Sequence, residues 1–299
     1  MASNGADHML RLARGRALGF RVYGDPAGTP LLFLHGTPGS RLKFSIGHEA
    51  GRALKLAIIA PDRWGYGLSD VPPEATLSAY AGDMAALMDH LGHKRFAVGG
   101  ISGGGPYAAA VAALLPSRVT SLALISPVGP IADAACAASL PRMQRFCFTV
   151  LPRRPRAIAA AFGIFRITLK RAPRLATQLA TFRGGRLERQ MMQRPEICER
   201  LLGSFREGLR PGMAGPVTDL ALFSRAWGID LADIAAPARV WIGTRDTVVP
   251  LVAARALARR ITTCDLEELD GEGHLWVAAN YGRVLEWIAT SARASAAAI

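Results

Sequence analysis

The sequence predicts an α/β fold: a mostly parallel sheet with helices on both faces and a helical cap inserted into it. Three observations carry that prediction. Short apolar runs alternate with stretches of helical periodicity, each run stops at turn-forming residues, and the alternation halts between residues 128 and 218 before it resumes. Parallel strands covered on both faces read as continuous apolar runs, which is the character of most runs here. The expected division is a core of residues 1–127 and 219–299, with the cap at 128–218.

In chain order, His8 to Leu12 and Ala17 to Tyr23 flank Ala13-Arg14-Gly15-Arg16 and predict a hairpin. Strands follow at Leu31 to Leu34, ending in His35-Gly36, and at Leu56 to Ala60, ending in Pro61-Asp62, with Arg41 to Leu54 helix-compatible between them. Leu77 to Leu91 places Leu77, Tyr80, Ala81, Met84, Leu87, Met88 and Leu91 at helical spacing, with Thr76 as N-cap. Strand Phe96 to Val98 leads through Gly99-Gly100-Ile101-Ser102 into the alanine-rich run Tyr107 to Leu115, and Val119 to Ile125 is another strand. After the insertion come strand Ala238 to Gly243, helix Leu251 to Arg260, strand Thr263 to Leu269 and a helix from His274 to Thr290. The Ala/Ser-rich tail from Ser291 to Ile299 is expected to fray.

A chain of 299 residues, half of them hydrophobic and 20% charged, can bury a sizeable core, which excludes disordered and collagen-like classes. The charge-free stretch from Phe96 to Ser117 is broken by five glycines and by Pro106 and Pro116, so no transmembrane helix is expected. The start of the chain reaches His8 and Arg11 without the apolar run of a secretory signal, which makes the cytoplasm the expected compartment. Cys136, Cys147, Cys198 and Cys264 show no metal or redox spacing and are expected to pack as small apolar residues. Neither a metal nor a cofactor is expected.

The net charge of +13 is concentrated: residues 128–218 hold 16 Arg and Lys against 5 Asp and Glu, a net +11. Of the 36 basic residues only Lys43, Lys55, Lys94 and Lys170 are lysines, which points to arginine-rich composition bias and a solvated outer face, as does the dispersed spacing of residues such as Arg142, Arg166, Arg183 and Arg206.

The strongest chemical signal is Gly100-Ile101-Ser102-Gly103-Gly104, a G-x-S-x-G between an apolar strand and an alanine-rich helix. A serine on a sharp turn needs small neighbours, and the helix that follows adds the positive end of its dipole. A serine hydroxyl is a weak nucleophile until a base takes its proton and an acid orients the base. His274 alone among the six histidines lies after Ser102, in the loop beyond the last strand. For the acid, Asp246 follows strand Val240 to Ile242, whereas the edge after Val119 to Ile125 offers Ser126 and no carboxylate, and Asp230 and Asp233 precede their strand.

Together with His35-Gly36-Thr37-Pro38-Gly39 and Asp62-Arg63-Trp64-Gly65-Tyr66-Gly67-Leu68-Ser69, this set resembles the α/β-hydrolase family over about residues 8 to 290. The resemblance implies a Ser102, Asp246, His274 triad and an oxyanion hole of the backbone N–H groups of Thr37 and Gly103, with the Thr37 hydroxyl as an additional donor. His35 and the stretch from Asp62 to Ser69 read as structural loop residues.

Members of the resembling families that open epoxides or remove halides use an aspartate nucleophile, and position 102 is serine; all five tyrosines also lie outside the cap. Proline iminopeptidases have Gly-Gly-Pro-Gly where this chain has Gly36-Thr37-Pro38-Gly39, and recognise a cationic amine that a cap of net +11 suits poorly. The expected activity is therefore hydrolysis of a small-molecule ester through an acyl-enzyme. Acyltransferase, perhydrolase and carbon–carbon bond hydrolase chemistry would use the same triad, and a non-catalytic ligand-binding protein on this fold is the alternative of another class. Nucleic-acid or anionic-membrane binding through the basic segment is the least favoured reading, since that segment lacks Tyr and Trp for base stacking and no helix-turn-helix or zinc pattern is evident. Oligomeric state is not legible.

Overall fold

The computed structural model describes residues 5–182 and 184–297. Eight strands form a single sheet: β1 (His8–Arg11), β2 (Ala17–Gly24), β3 (Thr29–Leu34), β4 (Leu56–Pro61), β5 (Phe96–Ile101), β6 (Val119–Ile125), β7 (Ala238–Gly243) and β8 (Cys264–Leu269). Their order is β1-β2-β4-β3-β5-β6-β7-β8, antiparallel across β1/β2 and β2/β4 and parallel from there on. The central strands β4, β5 and β6 are buried along their whole length, which is why they read as unbroken apolar runs.

The helices are α1 (His48–Ala53), α2 (Leu77–His90), α3 (Gly105–Leu114), α4 (Ala134–Ala138), α5 (Arg142–Arg145), α6 (Pro155–Arg171), α7 (Pro173–Ala180), α8 (Arg186–Met192), α9 (Pro195–Gly208), α10 (Ala214–Phe223), α11 (Leu251–Arg260) and α12 (Tyr281–Ala297). One face of the sheet carries a core built with α2, α3 and α11, the other a core built with α12. The Thr76 cap forms as expected, its Oγ1 accepting from Ala79 N at 3.1 Å.

Three details differ from the sequence reading. The stretch from Arg41 opens as a 3₁₀ segment through Gly47 before α1 begins. The last helix starts at Tyr281, not His274, because residues 276–279 form a separate 3₁₀ turn and leave His274 in a loop. The tail is also not frayed over the residues described: α12 continues to Ala297, and Ser295 Oγ donates to Thr120 O at 2.8 Å; residues 298 and 299 lie outside the described residues.

Between β6 and β7 the described residues form helices and turns only. Three of the eight prolines that punctuate residues 128–218 are helix starts: Pro155, Pro173 and Pro195 are the first residues of α6, α7 and α9, where a missing N–H costs nothing. Its own apolar cluster of Leu169, Ala176, Met192, Leu202 and Leu209 includes Tyr66 from the loop after β4. Helix α10 runs across residue 218, the position at which the sequence reading returned to the core.

The turn from β5 into α3 is packed against the backbone of β3. A Cβ on Gly104 would lie 2.5 Å from Leu34 O and 2.8 Å from His35 O, neither of which can yield without moving the strand. Gly104→Ala should therefore cost about 1–3 kcal/mol, whereas Gly163→Ala in α6, with nothing within 4 Å, should be neutral or stabilising. Urea denaturation of the two variants beside the parent checks this; equal midpoints would show that the elbow is not tightly packed.

Candidate active site

Ser102 follows β5 with φ +54°, in the left-handed region that a residue bearing a Cβ seldom occupies. That conformation lifts the hydroxyl off the strand end while the chain continues through a 3₁₀ turn into α3. Asp246 lies after β7 and His274 after β8, so three connections from parallel strands meet at one edge of the sheet. His274 Nε2 is 3.1 Å from Ser102 Oγ, and its Nδ1 is 2.7 Å from Asp246 Oδ2. The other carboxylate oxygen accepts from the N–H groups of Val248 at 2.8 Å and Val249 at 2.9 Å, which fixes its plane. With Nδ1–H donating to Asp246, the Nε2 lone pair faces the serine hydroxyl, the arrangement by which an imidazole accepts a hydroxyl proton.

Thr37 and Gly103 also meet. A Cβ on Gly103 would fall 2.2 Å from Thr37 Oγ1, so only glycine lets the loop after β3 close on the serine turn. The Thr37 hydroxyl is engaged elsewhere: it donates to Asp219 Oδ2 at 2.5 Å and accepts from Arg63 Nη2 at 3.1 Å. The expectation that this hydroxyl adds a further oxyanion donor is corrected accordingly, since its one donor bond goes to a buried carboxylate.

Asp219, on α10 and 1% exposed, was not found from the sequence. Besides Thr37 it accepts from both terminal nitrogens of Arg63, at 2.5 and 2.9 Å, from Tyr66 Oη at 2.6 Å and from Tyr107 Oη at 2.7 Å. Burial opposes the Arg63 charge, but Asp219 beside it more than offsets this and raises the guanidinium above its ordinary value. Burial, and then the Asp219 charge, push the Tyr66 and Tyr107 hydroxyls well up, so both remain protonated donors. Arg63 completes the link by donating to the backbone oxygens of His35 at 2.9 Å and Gly36 at 3.0 Å, which holds the loop carrying Thr37.

Residues 29–277 match the family model for the alpha/beta hydrolase fold. The chain belongs to that family. Among curated relatives, it is 35% identical over 116 residues to the dihydrolipoyllysine-residue acetyltransferase component of an acetoin cleaving system from Pseudomonas putida, covering 38% of this chain and 31% of that one. It is 32% identical over 132 residues to a non-heme chloroperoxidase from Streptomyces lividans, covering 39% and 43%. The chain thus spans less than half the length of either relative. Among solved structures, an alpha/beta hydrolase fold protein from Nakamurella multipartita is 28% identical over 97% of this chain and 99% of that one, with a TM-score of 0.67.

In this α/β hydrolase, helices of the inserted segment reach both loops that carry the candidate acid and base. Glu188 on α8, 3% exposed, accepts from His274 N at 2.5 Å through Oε1 and from Gly185 N at 2.7 Å through Oε2. Gln144 on α5 donates from Nε2 to Thr247 O at 3.1 Å, one residue past Asp246. A cleft of about 600 Å³ lies beside the acid loop, lined by Met143, Gln144, Phe182, Asp246, Thr247 and Leu251 among others. Among the described residues no group of three or more His, Cys, Asp or Glu is placed to hold a metal ion. The described arginines of the segment are exposed apart from the half-buried Arg166, in keeping with a solvated face; Arg183 lies outside the described residues.

The loop residues read as structural are tied to the frame. Asp62 is buried and accepts from Arg41 N at 2.7 Å, Leu68 N at 2.9 Å and Arg41 Nη1 at 2.7 Å. His35 Nε2 accepts from Arg63 N at 3.0 Å, which places its proton on Nδ1 facing Gly36 O at 2.8 Å. Burial, and then the Arg63 charge, hold His35 well below the usual histidine value. Its imidazole should therefore keep neutral-form chemical shifts from pH 8 down to pH 5, a window in which an ordinary histidine becomes charged. Imidazole nitrogen NMR checks this, with the signals assigned by their loss in His35→Gln; titration near pH 6.5 would contradict the buried, neutral assignment.

Proposed function

We propose that this protein hydrolyses carboxylic esters through an acyl-enzyme, with Ser102 as nucleophile, His274 as general base and acid, and Asp246 as the orienting carboxylate. The observation that carries the reading is the continuous chain from Ser102 Oγ to His274 Nε2 at 3.1 Å and from Nδ1 to Asp246 at 2.7 Å. Ser102 Oγ attacks the ester carbonyl carbon as its proton passes to His274 Nε2. The carbonyl oxygen becomes an oxyanion facing the backbone N–H groups of Thr37 and Gly103, each donor of this kind contributing about 2.7–4 kcal/mol to the transition state. The imidazolium, stabilised by Asp246, gives its proton to the departing alkoxide oxygen and leaves the acyl group on Ser102. Water, deprotonated by His274, then attacks the acyl carbon; the serine oxygen leaves, regains its proton from His274, and the carboxylic acid departs.

Two relatives, an acetyltransferase component and a non-heme chloroperoxidase, support a second reading in which another acceptor replaces water at the acyl-enzyme. The segment 128–218 serves as the cap in either reading, with its apolar residues forming the pocket for the acyl or alcohol part of the substrate. Activity over p-nitrophenyl esters of graded chain length, with and without competing alcohol or hydrogen peroxide, tests the assignment and separates the acceptors.

Ser102→Ala should abolish labelling by a fluorophosphonate, read by intact mass; a label that persists would place the nucleophile elsewhere. Asp246→Asn should lower kcat by roughly 10⁴ with the fold retained, because an amide cannot hold the Nδ1-protonated tautomer or stabilise the imidazolium. Near-normal turnover of p-nitrophenyl acetate in that variant would mean that another acid serves the histidine.

A further inference from the structure

The segment between β6 and β7 has a chemistry that the candidate triad does not use. From Ala134 to Leu187 the sequence holds eleven Arg and Lys and no Asp or Glu. Among the described residues, eight of the eleven strongly exposed large apolar side chains lie within those same bounds.

The apolar residues are ordered. On α6 the exposed positions 157, 160, 161, 164 and 167 form one stripe at helical spacing, all Ala or Ile, bounded by Arg156 at one end and by Lys170 and Arg171 at the other. Helix α7 packs against α6 and exposes Leu175 and Leu179 beside Arg174, and Phe182 follows it. Ile164 is 60% exposed and Phe182 72%. A soluble surface seldom groups side chains of this size without something to cover them.

We propose that the outer face of α6 and α7 docks on an anionic lipid surface, with Ile164, Ile167, Leu175, Leu179 and Phe182 entering the headgroup boundary and the flanking cations meeting lipid phosphates. The charge pattern selects this occupant. A second copy of the chain through the same face would oppose two surfaces of like charge. A nucleic acid would satisfy the cations but leave the isoleucines, leucines and phenylalanine in water. An anionic bilayer satisfies both: an apolar stripe at the depth of the first methylenes, and long basic side chains that reach back to the headgroups. Arginine composition bias accounts for the charge of this segment but not for apolar residues turned outward at helical spacing. Phe182 also lines the cleft beside the Asp246 loop, so docking brings the mouth of that cleft to the lipid. The proposal concerns binding and stands whether or not the ester reading holds.

Vesicle co-sedimentation with the intact protein tests it, using phosphatidylcholine alone and phosphatidylcholine mixed with phosphatidylglycerol. Binding to the anionic vesicles should be at least tenfold tighter than to the neutral ones and should weaken as salt rises. Ile164→Gln with Ile167→Gln should weaken it at least tenfold, and so should Lys170→Gln, Arg171→Gln and Arg174→Gln together, since each cation near such a surface contributes roughly fivefold. The substituted side chains are exposed, so far-UV circular dichroism and Tm should match the parent. Three results would overturn the proposal: no binding to anionic vesicles at low salt, binding that the isoleucine pair does not affect and that duplex DNA matches, or a dimer in ultracentrifugation that the isoleucine pair abolishes while vesicles go unbound.

Discussion

A single buried carboxylate holds together segments that are far apart in sequence. Asp219 on α10 receives Thr37 from the loop after β3, Arg63 and Tyr66 from the loop after β4, and Tyr107 from α3. Two charges taken out of water are favourable only when every remaining donor and acceptor is matched, and removing one partner of such a pair typically costs about 3–5 kcal/mol. Here the matching is done by residues that border Ser102 on two sides, so the electrostatic demand of the pair and the placement of the Thr37 loop are one problem with one solution. Arg63 adds its own share by donating to two successive backbone oxygens, those of His35 and Gly36.

The sheet supplies the rest of the frame. Because β3, β5, β6, β7 and β8 all run parallel, the connections after them emerge at the same edge, where ligand sites of open α/β sheets collect. The serine turn can sit close to that edge only because small residues surround it, and α3 can lie flat on the strands because its buried positions from 108 to 113 are alanine apart from Val111. The placement of Ser102 thus follows from close backbone packing, which sets its hydroxyl within reach of His274 Nε2.

Much of this was legible in the sequence because local pattern and local chemistry coincide. The strands are short apolar runs closed by turns, and Ser102, Asp246 and His274 each sit just past such a run, so strand-end position singled out all three as candidates, and the structure brings them together. Thr37 and Gly103 came from resemblance, and the contact between them is consistent with it. Asp219 and Glu188 carry no comparable signal: each is one carboxylate within a helix, the partners of Asp219 lie 112 or more residues away, and the Glu188 bond to His274 N spans 86 residues. Arg63 and Tyr66 were visible, but as parts of a structural loop, because nothing nearby in sequence reveals the charge they face. The expected helix from His274 failed for a related reason: the apolar spacing continues through Trp276 and Val277, while the backbone there makes a 3₁₀ turn that leaves His274 free to face the serine.

Glu188 and Gln144 alter how the inserted helices should be understood. Each fixes the backbone of a loop on the opposite side of the site, one at His274 and the other beside Asp246. These helices therefore act as a brace for both loops. A chimera that exchanged them for the corresponding helices of a relative would inherit a new cleft and lose both anchors at once. Cleft shape and loop geometry would then change together, and any transplanted segment has to bring its own acceptor for the His274 amide.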